Sequence, residues 1–356
     1  MRRLKVRNLF ILLLLLLVGF LITLLLLWHY YTGSVSKNSE LLTIRIEPGT
    51  NSGEIANLLE GNDLIKSKNF FKLYLKIKEI NNLKAGTYQL ASSMDLEEII
   101  KILQKGNNYN ADEIQITFKE GANMREIATL IAEHTDNTYS EVMDLVKDKE
   151  YLKEVIDKYW FVEEDILNSK LYYSLEGYLF PNTYRFKSKS VTVEEIFNKL
   201  LSQMETELKW YREDIENSKY SFHEILTLAS VIEKEGKVDD FKNISSVFHN
   251  RLNKGMKLES CATTYYGMGL DFNSVGIANS EMIANNNPYN TYKIAKLPIG
   301  PISSVSKKAL QAAIEPNNNK YLYFLSDKDG KTYFFNTYKE HQKKQQELIK
   351  TGKWYR

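Results

Sequence analysis

The chain has 356 residues, 43% of them apolar and 26% charged, which suits a buried core and more than one domain and sets aside a disordered protein. Lys and Arg number 47 against 45 Asp and Glu, with no block of like charge, so nucleic acid is not an expected partner. Cys261 is the only cysteine, which excludes an internal disulfide; five scattered histidines, with Thr227 where a zinc-protease helix needs its second histidine, argue against a metal, and no organic cofactor is implied.

Arg2, Arg3, Lys5 and Arg7 precede an uncharged run from Leu9 to Trp28 that is long enough, as a helix, to cross a bilayer. No small-x-small cleavage site follows, and "WHYYTGS" supplies aromatics suited to the far interface. The expectation is a retained single-pass anchor in the cell membrane: residues 1–7 cytoplasmic, 8–31 spanning, the remainder outside. A cleaved signal peptide is the alternative. After a linker, 32–42, the segment "LLTIRIEPGT" reads as a strand ending in a turn, "SGEIANLLEGNDLI" as a helix, and "NNLKAGTYQLASSMDLEEIIKILQKG" as strand, turn and helix again. These form a small α+β module at 43–106. "IQITFKEGANMREIATLIAEH" echoes "LTIRIEPGTNSGEIANLLE", a weak internal repeat that opens a connecting α+β segment at 107–170. From 171 to 356 the chain reads as a larger mixed α/β domain. Its aromatic stretch "YYSLEGYLFPNTYRF" is interrupted by Gly177 and Pro181, so a strand and loop are expected there.

"YSFHEILTLASVIEKEG" is a bounded helix, with Ser221 and Glu224 as a capping box and Gly236 as its stop. On the helical wheel Phe222, Ile225, Leu226, Leu228, Ala229 and Ile232 form the apolar arc, and Glu233 falls inside it, between Phe222 and Leu226. His223, Thr227, Ser230 and Lys234 lie opposite, and Glu235 falls at the margin. A carboxyl on a core-facing stripe holds its proton more tightly, as a general acid must. The competing reading places Glu233 in solvent or in an ion pair with Arg251 at the helix end. Downstream, a second amphipathic helix closes at Gly255, and "CATTYYGMG" and "NPYNTYKIAKLPIGPIS" are loops of hydroxyls, amides, aromatics and glycines that suit a saccharide.

The stretches "EGYLFPNTY" (176–184), "LASVIEKE" (228–235), "SSVFHNRLNKGMKLES" (245–260), "PYNTYKIAKLPIGPIS" (288–303) and "YLYFLSDKDGKTYFFNTYKEHQ" (321–342), in that order, together with the anchor, "EPGTNSGEIANLL" and "LKAGTYQL", resemble the endolytic murein transglycosylases, the YceG-like or MltG family. The resemblance implies a LysM-like small domain at 43–106 and a catalytic domain at 171–356. It also implies endolytic, non-hydrolytic cleavage of peptidoglycan between N-acetylmuramic acid and N-acetylglucosamine, leaving 1,6-anhydro-muramyl ends. Nascent strands made by penicillin-binding proteins and the elongation machinery are the implied context. The catalytic glutamate matches Glu233. Asn250, Arg251, Tyr266, Asn290, Thr291 and Tyr292 are candidate saccharide contacts, Arg251 also suits electrostatic support, and Glu235 and Glu176 are candidate supporting carboxyls. The sequence departs from the family pattern at Glu259, Asn182 and the pair Ser304–Val305, while Cys261 is expected to be structural. Alternatives stay open: a hydrolytic muramidase using Glu235, Asp239 or Glu259 as second carboxylate, a non-catalytic wall-binding scaffold, or an anchored assembly factor.

Overall fold

The structure, a computed structural model, describes residues 2–107, 109–110, 112–270 and 279–354, with side chains from residue 8 onward. It divides into two compact units, residues 1–112 and 113–356.

In the first unit α1 (Arg2–Thr32) includes 25 residues, Asn8–Thr32, apolar and long enough to cross a membrane and not buried in the protein. Trp28 at its end packs within 5.4 Å of both Phe70 and Tyr74, so this ring of the expected interfacial belt rests on the module itself. The module follows as β1 (Leu41–Ile46), α2 (Ser52–Gly61), α3 (Lys68–Ile77), β2 (Gly86–Ala91) and α4 (Leu96–Lys105). β1 and β2 pair antiparallel with Ile44 opposite Tyr88. Alternation turns Ile44 and Ile46 inward onto Leu59, Phe71, Tyr88 and Leu103, forming this unit's core.

The second unit opens with β3 (Ile114–Thr117), α5 (Met124–His134), α6 (Tyr139–Leu145) and α7 (Lys149–Lys158). It continues through β4 (Thr183–Phe186), α8 (Val193–Leu208), α9 (Arg212–Glu216), α10 (Phe222–Glu235), α11 (Phe241–Asn253), α12 (Cys261–Gly267), α13 (Ser280–Ala284) and α14 (Lys307–Ile314). β5 (Tyr323–Ser326), β6 (Thr332–Phe335) and α15 (Tyr338–Lys350) complete it. Two sequence expectations change here. Segment 107–170 is not a separate connector: β3 pairs with β4, and Ile116, Ile127 and Ile131 share one core with Leu226 and Ile232. Nor is the larger domain α/β, because among the described residues its strands form two separate antiparallel pairs and helices supply most of the core.

The weak repeat proves longer than the sequence indicated. Ile44 and Ile46 of β1 have counterparts in Ile116 and Phe118, all buried. Gly49 and Gly121, at φ +89 and +72, make the following turns. Asn51 and Asn123 then cap α2 and α5 through capping boxes with Glu54 and Glu126. The partner strands match too: Ile44 faces Tyr88 as Ile116 faces Tyr184, and each tyrosine donates its hydroxyl to the carbonyl four residues before it, Lys84 or Phe180. Both second strands lead to helices with capping boxes, Asp95 with Glu98 and Thr192 with Glu195. The second unit thus begins with a copy of the first unit's module, interrupted by α6, α7 and the aromatic segment.

Candidate active site

Ser221 caps α10, accepting from the Glu224 amide at 3.3 Å while Glu224 accepts from the Ser221 amide at 3.1 Å. α11, α12 and α14 all pack against this helix. Its expected polar face is therefore buried as well as its apolar one. His223 sits between the Tyr178 hydroxyl, 2.9 Å from Nδ1, and the Ile299 carbonyl, 3.0 Å from Nε2. Thr227 donates to the His223 carbonyl and Ser230 to that of Thr227, while Ser230 Oγ also accepts from the Ile302 amide. Short polar side chains that satisfy themselves locally are admitted to a core. The helix stops at Gly236 with extended backbone, φ −162; a Cβ there would lie 2.3 Å from Ile244 Cδ1, so the glycine serves close approach of α11.

Glu233 lies half-buried in the last turn of α10. Its Oε2 accepts from the Ser306 amide at 2.8 Å and the Ser306 hydroxyl at 2.6 Å; among the described residues Oε1 accepts nothing. Ser306 is the N-cap of α14, its hydroxyl oxygen also accepting from the Ala309 amide. Burial pushes the Glu233 carboxyl above the ordinary glutamate value; the Ser306 hydrogen bonds pull it back, nearby Glu120 adds upward, and Lys234 pulls down. The competing ion pair with Arg251 does not form: Arg251 pairs with Glu259 at 3.1 Å. Lys234 donates to the Gly121 carbonyl at 3.1 Å, and Gly121 N bonds Ser304 O while Ser304 N bonds Ala122 O. The turn after β3 and the strand-like segment before α14 are thereby fastened beside Glu233.

Glu235, at the wheel's margin, turns inward too. Its Oε1 accepts from the Ser260 hydroxyl, and burial raises its pKa against the lowering effects of Ser260 and Arg251. Glu176 is buried beneath the start of α5: both oxygens lie 3.1 Å from the Met124 amide, and Oε2 accepts from the Tyr266 hydroxyl at 2.8 Å. Burial pushes its carboxyl up to about 7 against the lowering pull of Met124 N, Tyr266 and Arg125. Gly177 beside it has φ +83, and a Cβ there would meet Pro301 Cβ at 2.6 Å.

The expected saccharide contacts are mostly occupied within the protein. Asn250 Nδ2 donates to the carbonyls of Asn319 and Tyr321, each at 3.0 Å. Arg251 is buried, donating to the carbonyls of Leu322, Lys257 and Leu258 as well as to Glu259. Asn290 and Thr291 are fully buried. Asn290 donates to the carbonyls of Ile283 and Asn285 and accepts from Thr264 and the Tyr292 amide. Thr291 Oγ1 accepts from the Ser260 amide and bonds Thr263. Tyr266 is buried against Tyr172 and Tyr289. These five side chains brace the loops; Tyr292, half-buried with its hydroxyl 3.2 Å from Cys261 Sγ, lies nearer the surface.

Of the family departures, Glu259 adopts φ +56 and has its charge matched by Arg251, Asn182 caps the exposed start of β4 by accepting from Thr183 N, and Ser304 pins the Gly121 turn through its backbone. None of Glu235, Asp239 and Glu259 hydrogen bonds to Glu233. The carboxylate whose charge bears on it is Glu120, which sequence reasoning did not single out. Ser306 was missed as well, although a serine directly before "KKALQAAI" has the form of a helix cap.

Residues 44–347 match the YceG-like family. An endolytic murein transglycosylase from Bacillus subtilis is 36% identical over 319 residues, 88% of this chain and 87% of that protein. A namesake from Streptococcus pneumoniae is 34% identical over 322 residues, 86% of this chain but 58% of the longer streptococcal protein. A 2.6 Å crystal structure of a YceG-like protein from Listeria monocytogenes aligns with a TM-score of 0.61 at 34% identity, over 86% of this chain and 99% of that one. With the match running from β1 into α15, through α10 and every loop that braces it, the chain belongs to the YceG-like family.

Proposed function

We propose that this protein is an endolytic lytic transglycosylase that cuts peptidoglycan between N-acetylmuramic acid and N-acetylglucosamine without water, with Glu233 as its single acid and base. The observation that carries this reading is the division of labour within one carboxyl: Oε2 is held by two donors from Ser306, while Oε1 accepts nothing from the described residues. With Oε2 committed as acceptor, the proton of the neutral form sits on Oε1, which delivers it to the glycosidic oxygen as the bond to muramyl C1 breaks. The resulting anion is stabilised by the same two donors at the N-terminus of α14 and by Lys234. It then withdraws the proton of the C6 hydroxyl as that oxygen attacks C1 of its own sugar. Glu233 ends protonated, the leaving strand carries a hydroxyl, and the C1–O6 bond of the 1,6-anhydro ring replaces the broken glycosidic bond. Intramolecular attack supplies a high effective concentration, so the second carboxylate of a hydrolase has no task.

On this reading the apolar helix anchors the protein with its basic N-terminus in the cytoplasm and both units outside, near strands newly made by penicillin-binding proteins. The module at 43–106 is LysM-like and contacts glycan, as its copy in the second unit borders the catalytic turn. Asn250, Arg251, Asn290, Thr291 and Tyr266 position the loops, with Tyr292 left as a saccharide contact and Glu235 and Glu176 as supporting carboxyls. The test is a pH–rate profile of the full-length protein in detergent on isolated peptidoglycan. Activity should fall as pH rises through an acid whose pKa lies above that of ordinary glutamate, and Glu233→Gln should remove the activity with an unchanged thermal transition. A variant that keeps wild-type rates overturns the assignment.

A further inference from the structure

A small hollow beside the Gly121 turn is lined by residues that include Asn123, Arg125, Glu126, Lys234, Tyr266 and Ile302, and a larger one continues it along α5 past Glu126 and Thr129 to Glu133. Arg125 lines both. It is half-buried, its backbone amide is taken by Asn123 Oδ1, and its guanidinium makes no hydrogen bond or ion pair among the described residues. Withdrawing a guanidinium from water without a partner is unfavourable, and its planar fork matches a carboxylate. Of the nearby acids, Glu176 lies buried beneath and is already bonded to Met124 N and Tyr266, and Glu126 accepts from Asn123 N.

We propose that Arg125, with Lys234 beside it, forms a subsite for a carboxylate of the peptide stem carried by the muramyl residue that is cleaved. The inference rests on the function proposed above. The sugars flanking the cut are uncharged, whereas the stem, attached to the muramyl lactyl group, bears carboxylates and an amine. Lys234 Nζ and Glu233 Cγ both flank the Gly121 turn, 3.6 and 3.8 Å from where a Cβ on Gly121 would stand, so the cationic end of the cleft adjoins the reacting sugar. Arg125, Thr129 and Glu133 stand four residues apart on α5, a row of about 12 Å at helical rise. Carboxylates near Arg125 and an amine near Glu133 match a stem laid along that row. The corresponding helix of the first unit has Gly53 where α5 has Arg125, so this feature belongs to the second copy alone.

The test compares kcat/KM of the full-length protein in detergent on strands with free stem carboxylates and on the same strands with those carboxylates amidated, for wild type, Arg125→Gln and Arg125→Lys, each checked by its thermal transition. The wild type should favour the acidic strands about tenfold, the worth of one charge-assisted contact. Arg125→Gln should erase that preference and Arg125→Lys restore part of it. Wild-type cleavage of both strands at equal rates, or an undiminished preference in Arg125→Gln, overturns the subsite while leaving the proposed function standing. No cleavage of either strand by the wild type overturns the function and the subsite with it.

Discussion

The two copies of the strand–turn–helix module share their construction and differ in what surrounds it. In the first, Gly49 turns the chain into open space, Asn51 caps α2, and residue 53 is glycine. In the second, the turn at Gly121 lies against Glu233 and Lys234, α5 begins over the buried carboxyl of Glu176, and Arg125 faces a cleft. The same local rules therefore build both, and the difference comes from the long-range neighbours that only the second copy has. An asparagine-capped helix N-terminus is common to both; a buried carboxylate that takes one further amide, Met124 N, is not.

The two copies should differ most at the turn beside Glu233. Glu233→Gln should lower kcat by about 10²–10⁴, the usual worth of a general acid–base, with little loss of stability. Next is Glu176→Gln. Because the folded-state pKa of Glu176 is raised to about 7 from 4.5, its contribution is complete below the ordinary value and is lost as pH rises through 7. The stability of wild type relative to the variant, followed by urea unfolding, should thus fall by about 3 kcal/mol between pH 4.5 and 8, and parallel pH dependences would contradict the assignment. Gly49→Ala and Gly121→Ala each force a side chain to positive φ, at a cost of about 1 kcal/mol read from thermal shifts. Only the Gly121 variant should also raise KM, since its Cβ reaches Lys234 Nζ at 3.6 Å and Glu233 Cγ at 3.8 Å. The smallest effects sharpen the contrast: Asn51→Ala and Asn123→Ala should each cost about 1 kcal/mol of stability, with the pH–rate profile moving only for Asn123→Ala.

What was legible of the candidate site is local. The spacing of Phe222, Ile225, Leu226 and Ile232 singled out Glu233 as the carboxyl on an apolar arc, and the capping-box spacing located the start of α10. What stayed hidden depends on distance along the chain. Ser306 lies 73 residues from the carboxyl it holds, and no periodicity reports such a contact. Arg251 and Asn250 have the chemistry of sugar ligands, yet backbone carbonyls at 319–322 and 257–258 occupy them. Burial of His223, Thr227 and Ser230 was invisible because a wheel counts side-chain polarity and not the carbonyls these groups bond. The repeat was half seen: "GTYQL" and "NTYRF" match only once Ile44 and Ile116 are known to face Tyr88 and Tyr184.

In the proposed reaction one carboxyl performs both proton transfers and water takes no part. That reaction is tested most directly by mass spectrometry of fragments released from peptidoglycan by the full-length protein, beside Glu233→Gln. Wild-type fragments should end in muramyl residues lighter than the reducing sugar by one water, and none should appear with the variant. Fragments carrying the added water would contradict the proposed reaction and assign a hydrolase with a second carboxylate, for which Glu120, the acid whose charge bears on Glu233, is the first residue to replace.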